Sequence, residues 1–240
     1  MDDYMIDAKV QHKLWKREMK KKVSLINKIT SKTQKKFNSM LPRKYHEILT
    51  NAVKTMVKTV LFGYKYITKE PLNYISIEER EKIVKSKIDF YKKTAMAEGF
   101  ATGAGGFVLG LTDFPLLLSI KVKLLYDIAA IYGFDVRDYK ERLYILNIIQ
   151  LAFSSQGYSK DVFNKMESWD EYSNHLPGNI NDFDWESFQQ EYRDYLDLAK
   201  LLQLVPVIGA AVGFYVNGKL LDKLGEVAIN AYRMRLEEFK

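Results

Sequence analysis

The chain has 240 residues, 47% of them hydrophobic and none of them cysteine; it can bury a large core, but it can hold no disulfide or thiolate metal site. Its net charge of +7 is gathered at one end, because residues 1–40 hold eleven Lys and Arg against four Asp and Glu, whereas residues 41–240 hold 26 of each. Such an asymmetry fits an anionic membrane surface, nucleic acid or an acidic partner. The opening MDDYMIDAKVQHKLWKREMKKK lacks an apolar h-region, and with the missing cysteines this predicts a cytoplasmic protein.

Residues 3–37 read as one basic amphipathic helix. Ile6, Val10, Leu14, Trp15, Met19, Val23 and Ile26 recur at three- and four-residue spacing, and Lys9, Lys13, Lys16, Arg17, Lys20, Lys21 and Lys22 fill the other faces. Two readings follow. In one, the apolar stripe docks on the body of the protein and the lysines are solvated; in the other, the cations and Trp15 meet anionic lipid headgroups, at about 1 kcal/mol per basic residue near the surface. Pro42 closes this unit, and Ile48, Ala52, Met56, Val60 and Tyr64 predict a second helix over 43–68. Pro71 ends that helix. Ser76 and Glu79 form a capping-box pattern, so a third helix is expected from about residue 77.

That helix leads into the most apolar part of the chain. From Ala95 to Ser119 only Glu98 and Asp113 are charged. Gly103, Gly105 and Gly106 do not make a phosphate loop, since no strand precedes them and the next lysine is Lys121. Instead Ala95, Gly99 and Gly103 stand four apart, as do Thr102, Gly106 and Gly110, and later Gly209 and Gly213; small residues at this spacing form a groove for another helix. Asp113 followed by Pro115 predicts an N-cap, which makes 95–133 a helical hairpin ending at Gly133. Asp127 has Lys123 one turn earlier, the spacing of an ordinary helical ion pair.

Asp138 caps a further helix through Phe153, the stretch NHLPGNINDFD reads as an exposed loop, and Asp184 starts a helix to Leu204. A last unit, 201–238, repeats the Gly-rich character. Its uncharged stretch from Leu201 to Gly218 would span about 27 Å as a helix, just short of a hydrocarbon core of about 30 Å, and it is interrupted by Pro206, Gln203 and Asn217.

The predicted fold is all-α: a single domain over 1–240, with the Gly-rich units 95–133 and 201–238 as its core and the basic helix of 1–40 outside. No catalytic motif is present. His12, His46 and His175 sit on separate segments without helical metal-pair spacing, and neither a metal nor a cofactor is implied. The tyrosines recur on apolar faces, as core residues do, which speaks against nucleic acid.

Several passages together resemble the EcsC family of bacterial proteins: KLWKREM from Lys13, AEGFATGAGGFVLGLTDFPLLLSIKVKLLYDIAAIYGFD from Ala97, ERLYIL from Glu141, and LVPVIGAAVGFYVNGKLLDKLGEVAINAYRMR near the end. The resemblance implies no catalytic residue, and it suggests an accessory or regulatory role beside an ATP-binding cassette transporter. Three functions are therefore expected to compete. The first is a non-enzymatic protein at the inner membrane face or on a membrane transporter complex, working through Lys13, Trp15, Lys16, Arg17, Lys20, Lys21 and Lys22. The second is a lipid or small-molecule binder with a pocket between the Gly-rich helices, lined by Glu98 or Asp113. The third is an enzyme using Glu98, Asp113 or Asp127 as acid or base.

Overall fold

The computed structural model describes residues 3–21, 43–63, 70–103, 114–153, 156–184, 188 and 209–240. Within them lie eight α-helices and two short 3-10 turns, with no strand among the described residues. The helices are α1 (Asp3–Lys20), α2 (Arg43–Phe62), α3 (Ile77–Gly103), α4 (Phe114–Ile131), α5 (Tyr139–Phe153), α6 (Gln156–Glu167), α7 (Trp169–Asn174) and α8 (Gly209–Arg233). The turn at Thr112-Asp113 and the Gly-rich residues 104–113 and 201–208 lie outside the described residues, as does the expected extension of the first helix beyond residue 21.

Local chemistry sets the boundaries. At the start of α3 the Ser76 hydroxyl accepts from the Glu79 N–H at 3.2 Å, and the Glu79 carboxylate accepts from the Ser76 N–H at 3.2 Å, a reciprocal capping box. The Asp138 carboxylate accepts from the Lys140 N–H at 2.9 Å and opens α5. Gly133, at φ +90°, ends α4 with paired bonds from its own N–H to the Ala130 carbonyl (3.0 Å) and from the Phe134 N–H to the Ala129 carbonyl (2.9 Å). This is a Schellman motif, which needs a residue at ease with positive φ.

The longest interface runs between α3 and α8. They approach so closely that a Cβ added at Gly225 would lie 2.5 Å from Ile88 Cδ1, and one at Gly218 would lie 3.0 Å from Met96 Sδ. Lys92 adds an ion pair to Asp222 at 2.7 Å along the same seam. On its other flank α3 packs on α4, and α2 crosses α4, where the Tyr126 hydroxyl donates to the Val60 carbonyl. Behind them lies α5, buried at every residue except Lys140. A helix covered on all sides needs its polar groups satisfied internally, and α5 carries Glu141, Arg142, Asn147 and Gln150 into the core. One consequence is the cluster described next.

Candidate functional site

Two sets of charges stand out, one sealed inside and one turned outward. Inside, Glu81 of α3 is fully buried and accepts four hydrogen bonds: from Arg233 Nε (2.7 Å) and Nη2 (2.6 Å), from the Tyr4 hydroxyl (2.6 Å) and from the Tyr132 hydroxyl (3.1 Å). Glu141 of α5 accepts from the Tyr232 hydroxyl at 2.7 Å and from Arg235. The Tyr132 and Tyr232 rings stack at 5.3 Å and join the two halves, while the Arg235 guanidinium lies 3.8 Å above the Phe134 ring. The C-terminal end of α8 is thus clasped to α1, α3, α4 and α5.

Burial pushes the Glu81 carboxyl up, but Arg233, Tyr4 and Tyr132 outweigh it and hold it below the usual carboxylate range. At Glu141 burial wins over Arg235 and Tyr232, and the carboxyl is raised. A raised carboxyl in a cleft is the mark of a general acid. Here one oxygen of Glu141 is taken by Tyr232 and the other by Arg235, so a reacting atom would have to displace a structural partner. The clasp holds helices together. Local sequence offered one sign of it: Glu81 stands in register with Ile77, Val84 and Ile88, a carboxylate on an apolar stripe.

Of the three candidate carboxylates, Asp113 lies outside the described residues, and Glu98 falls in the last turns of α3 where side chains are not described. Asp127 is 1% exposed. Its expected pair with Lys123 does not form: Lys123 is exposed, and Asp127 turns towards α3, where the Tyr91 hydroxyl donates to it at 3.1 Å and Lys87 stands 3.4 Å away. Packing against α3 overrides the local helical pair. On the same helix Lys121 is buried, and burial pushes its ammonium down to about 8.

The outward charges belong to α1. Its apolar residues form two stripes on opposite sides, which the three- and four-residue spacing had merged into one. Ala8, His12, Trp15 and Met19 face the body. Trp15 is 7% exposed, stacks on His12 and meets the Phe163 ring edge-on at 5.7 Å, so its indole is a core group and does not face a headgroup layer. The Asn230 amide donates to the Glu226 carbonyl at 3.0 Å, so its oxygen accepts from His12 Nδ1 at 3.1 Å, which assigns the Nδ1–H tautomer. His12 Nε2 is left buried with no hydrogen-bond partner among the described residues. Burial pushes His12 down, against the upward pull of Asn230.

Ile6, Val10 and Leu14 point the other way, at 42%, 52% and 53% exposure. Lys13 and Arg17 share this outer side, exposed and without a carboxylate partner among the described residues. Lys21 is exposed and, among the described residues, pairs with its neighbour Glu18. Lys16 and Lys20 turn to the flank, where Glu167 of α6 binds them at 2.7 and 2.8 Å. Lys22 lies outside the described residues. The structure therefore divides the predicted contact set into an outward group (Lys13, Arg17, Lys21), a tethered pair (Lys16, Lys20) and a core residue (Trp15).

Among the described residues no group of acidic and histidine side chains could hold a metal ion, and no described helix is long and apolar enough to cross a membrane. No solved structure is significantly similar to the chain. The EcsC protein family matches residues 8–236. The chain is 43% identical to Protein EcsC of Bacillus subtilis (strain 168) over 223 residues, 92% of either chain. It is also 30% identical over 148 residues to a second protein of that organism, described as Uncharacterized protein YdbA, covering 61% of this chain and 54% of the other. Three of the four passages that carry the resemblance meet in space, since Tyr132, Glu141, Tyr232, Arg233 and Arg235 all sit in the clasp. With a match across nearly its whole length and this identity over 92% of it, the chain belongs to the EcsC protein family.

Proposed function

We propose that the protein is a non-enzymatic accessory or regulatory protein that works at the cytoplasmic face of a membrane, bound peripherally through α1. One observation carries this reading: Lys13, Arg17 and Lys21 share the outer side of α1, and the first two have no carboxylate partner among the described residues. Cations left without internal partners on an exposed helix are available to lipid phosphates, and each such contact contributes about 1 kcal/mol at an anionic surface. The resemblance noted in the sequence suggests that the membrane in question carries an ATP-binding cassette transporter, whose regulation would be the purpose of the attachment. The second reading, a lipid or small-molecule pocket between the Gly-rich helices beside Glu98 or Asp113, falls where side chains are not described; the part of the α3–α8 seam that is described, at Gly218 and Gly225, is closely packed.

The test is flotation of the purified full chain with phosphatidylglycerol-containing and purely zwitterionic vesicles. Binding is expected only to the anionic vesicles, and K13E/R17E/K21E should weaken it by at least tenfold. Equal flotation of the variant and the parent would refute the reading.

A further inference from the structure

The outer side of α1 is not only basic. Ile6, Val10 and Leu14 are each about half exposed, stand one turn apart and make a row about 12 Å long; Lys13 lies along it, and Arg17 and Lys21 continue the same side of the helix beyond Leu14. The opposite side of the same helix is anchored to three elements. Trp15 packs on Phe163 of α6, His12 bonds to Asn230 of α8, and Tyr4 bonds to Glu81 of α3. The row is therefore presented as a rigid rib and would require no unfolding of α1 to be used.

We infer that Ile6, Val10 and Leu14 form a shallow insertion face that enters the boundary between headgroups and acyl chains of an anionic bilayer, with α1 lying in the membrane plane and still docked on the body. The inference rests on the proposed membrane attachment and adds a hydrophobic component and an orientation to it. Charge complementarity selects the occupant. Asp3 and Asp7 stand at the N-terminal end of the row, Lys9 and Lys13 stand along it, and beyond Leu14 the helix carries Lys16, Arg17, Lys20 and Lys21 against Glu18 alone; the sequence continues with Lys22, Lys28, Lys32, Lys35 and Lys36 and no acid before residue 40. Size argues the same way. A stable protein interface buries roughly 800 Å² on each partner, far more than three aliphatic side chains on one helix can offer. A bilayer asks for no matching shape, and long basic side chains can lie along it with their heads at the phosphates.

The test compares three forms of the full chain in flotation with phosphatidylglycerol vesicles at low and at high salt: the parent, V10S/L14S and K13Q/R17Q/K21Q. All the substituted residues are exposed, so each form should fold, which circular dichroism checks. A fraction of parental binding should survive high salt. V10S/L14S should bind about tenfold more weakly and lose all salt resistance, as expected for removing two interfacial aliphatic side chains. In addition, L14W should gain fluorescence quenching from lipids brominated near the top of their chains, beyond that of the parent. If V10S/L14S floats like the parent and salt removes both, attachment is electrostatic and the insertion face is refuted while the membrane reading stands. If the parent does not float at all, both fail. If V10S/L14S alters oligomeric state in size-exclusion chromatography but not flotation, the row is an interface between copies of the chain and the inference is overturned.

Discussion

In the clasp, Glu81 meets Arg233 at 2.6 Å within a fully enclosed site, whereas on the outer side of α1 the cations Lys13 and Arg17 face solvent with no carboxylate partner among the described residues. The same chain thus uses charge in two ways. Buried charges must be answered on the spot, because leaving one without its partner in a low-dielectric interior is costly. Exposed charges carry no such obligation, so what they meet is free to be something outside the protein. For this molecule the distinction separates architecture from the surface where function is to be sought.

The strongest way to sharpen that contrast is to break the clasp from one side. Arg233→Met would leave Glu81 buried with only tyrosine hydroxyls, and it should cost about 3–5 kcal/mol in urea unfolding. Replacing Glu81 by Leu as well should recover much of the loss, since the unpaired charge is then gone; additive losses in the double variant would contradict the account. By comparison, K13E/R17E/K21E should leave unfolding within about 0.5 kcal/mol of the parent, because its sites are exposed and away from the packing.

A smaller effect is expected between the two regions, at His12. The residues and charges around it are Lys16 on its own helix, Asn230 and Arg233 of α8, Glu167 of α6 and the Phe239 ring. Docking holds the imidazole below its ordinary value of 6.5, chiefly through burial. The docked form therefore binds its proton less readily than the undocked one. Stability from this group is complete above about pH 6.5 and falls as the pH drops from there to the docked value, below which it is constant. The protection factors of α1 amides, which take out the intrinsic pH dependence of exchange, should fall as the pH drops over that range, and H12N should flatten the response. A parent protein whose α1 exchange shows no such added dependence would rule out His12 as its source.

The least costly change is Glu167→Gln. It releases Lys16 and Lys20 from partly exposed pairs worth about 0.2–1 kcal/mol each, so stability should hardly move. Two more cations then become available beside the outward three, and binding to anionic vesicles should rise severalfold. Unchanged or weaker binding would mean that the flank of α1 does not share the surface used by Lys13 and Arg17.

The parts of this fold that can be read from the sequence are those in which neighbours in the chain decide the outcome. Ser76 and Glu79 are three residues apart, Asp138 and Lys140 two, and Gly133 needs only its own backbone freedom. The clasp could not be read in that way. Glu81 lies 77 residues from Tyr4 and 152 from Arg233, and nothing local selects those partners among 37 Lys and Arg. The family resemblance supplied the blocks containing Tyr132, Glu141 and Arg233, but a linear motif does not say which blocks touch. Burial of α5 was obscured because Glu141, Arg142, Asn147 and Gln150 make a fully enclosed helix look half polar. The orientation of α1 was ambiguous for a different reason. Its inward stripe mixes Trp15 and Met19 with Ala8 and His12, while its outward row is Ile6, Val10 and Leu14, so apolar residues stand on both sides and hydropathy alone does not orient the helix.

The spacing of the clasp also fixes an order of events during synthesis. Arg233 is made 152 residues after Glu81, and Arg235 is made 94 after Glu141. At roughly 5–20 residues per second, a growing chain waits about 8 to 30 s before the first carboxylate can meet its arginine. Throughout that interval α3 and α5 have to keep Glu81 and Glu141 in water, and their final packing is postponed. Ribosome-bound chains stopped before Arg233 should consequently remain open to proteases at α3 and α5, and close only when the last turn of α8 has emerged.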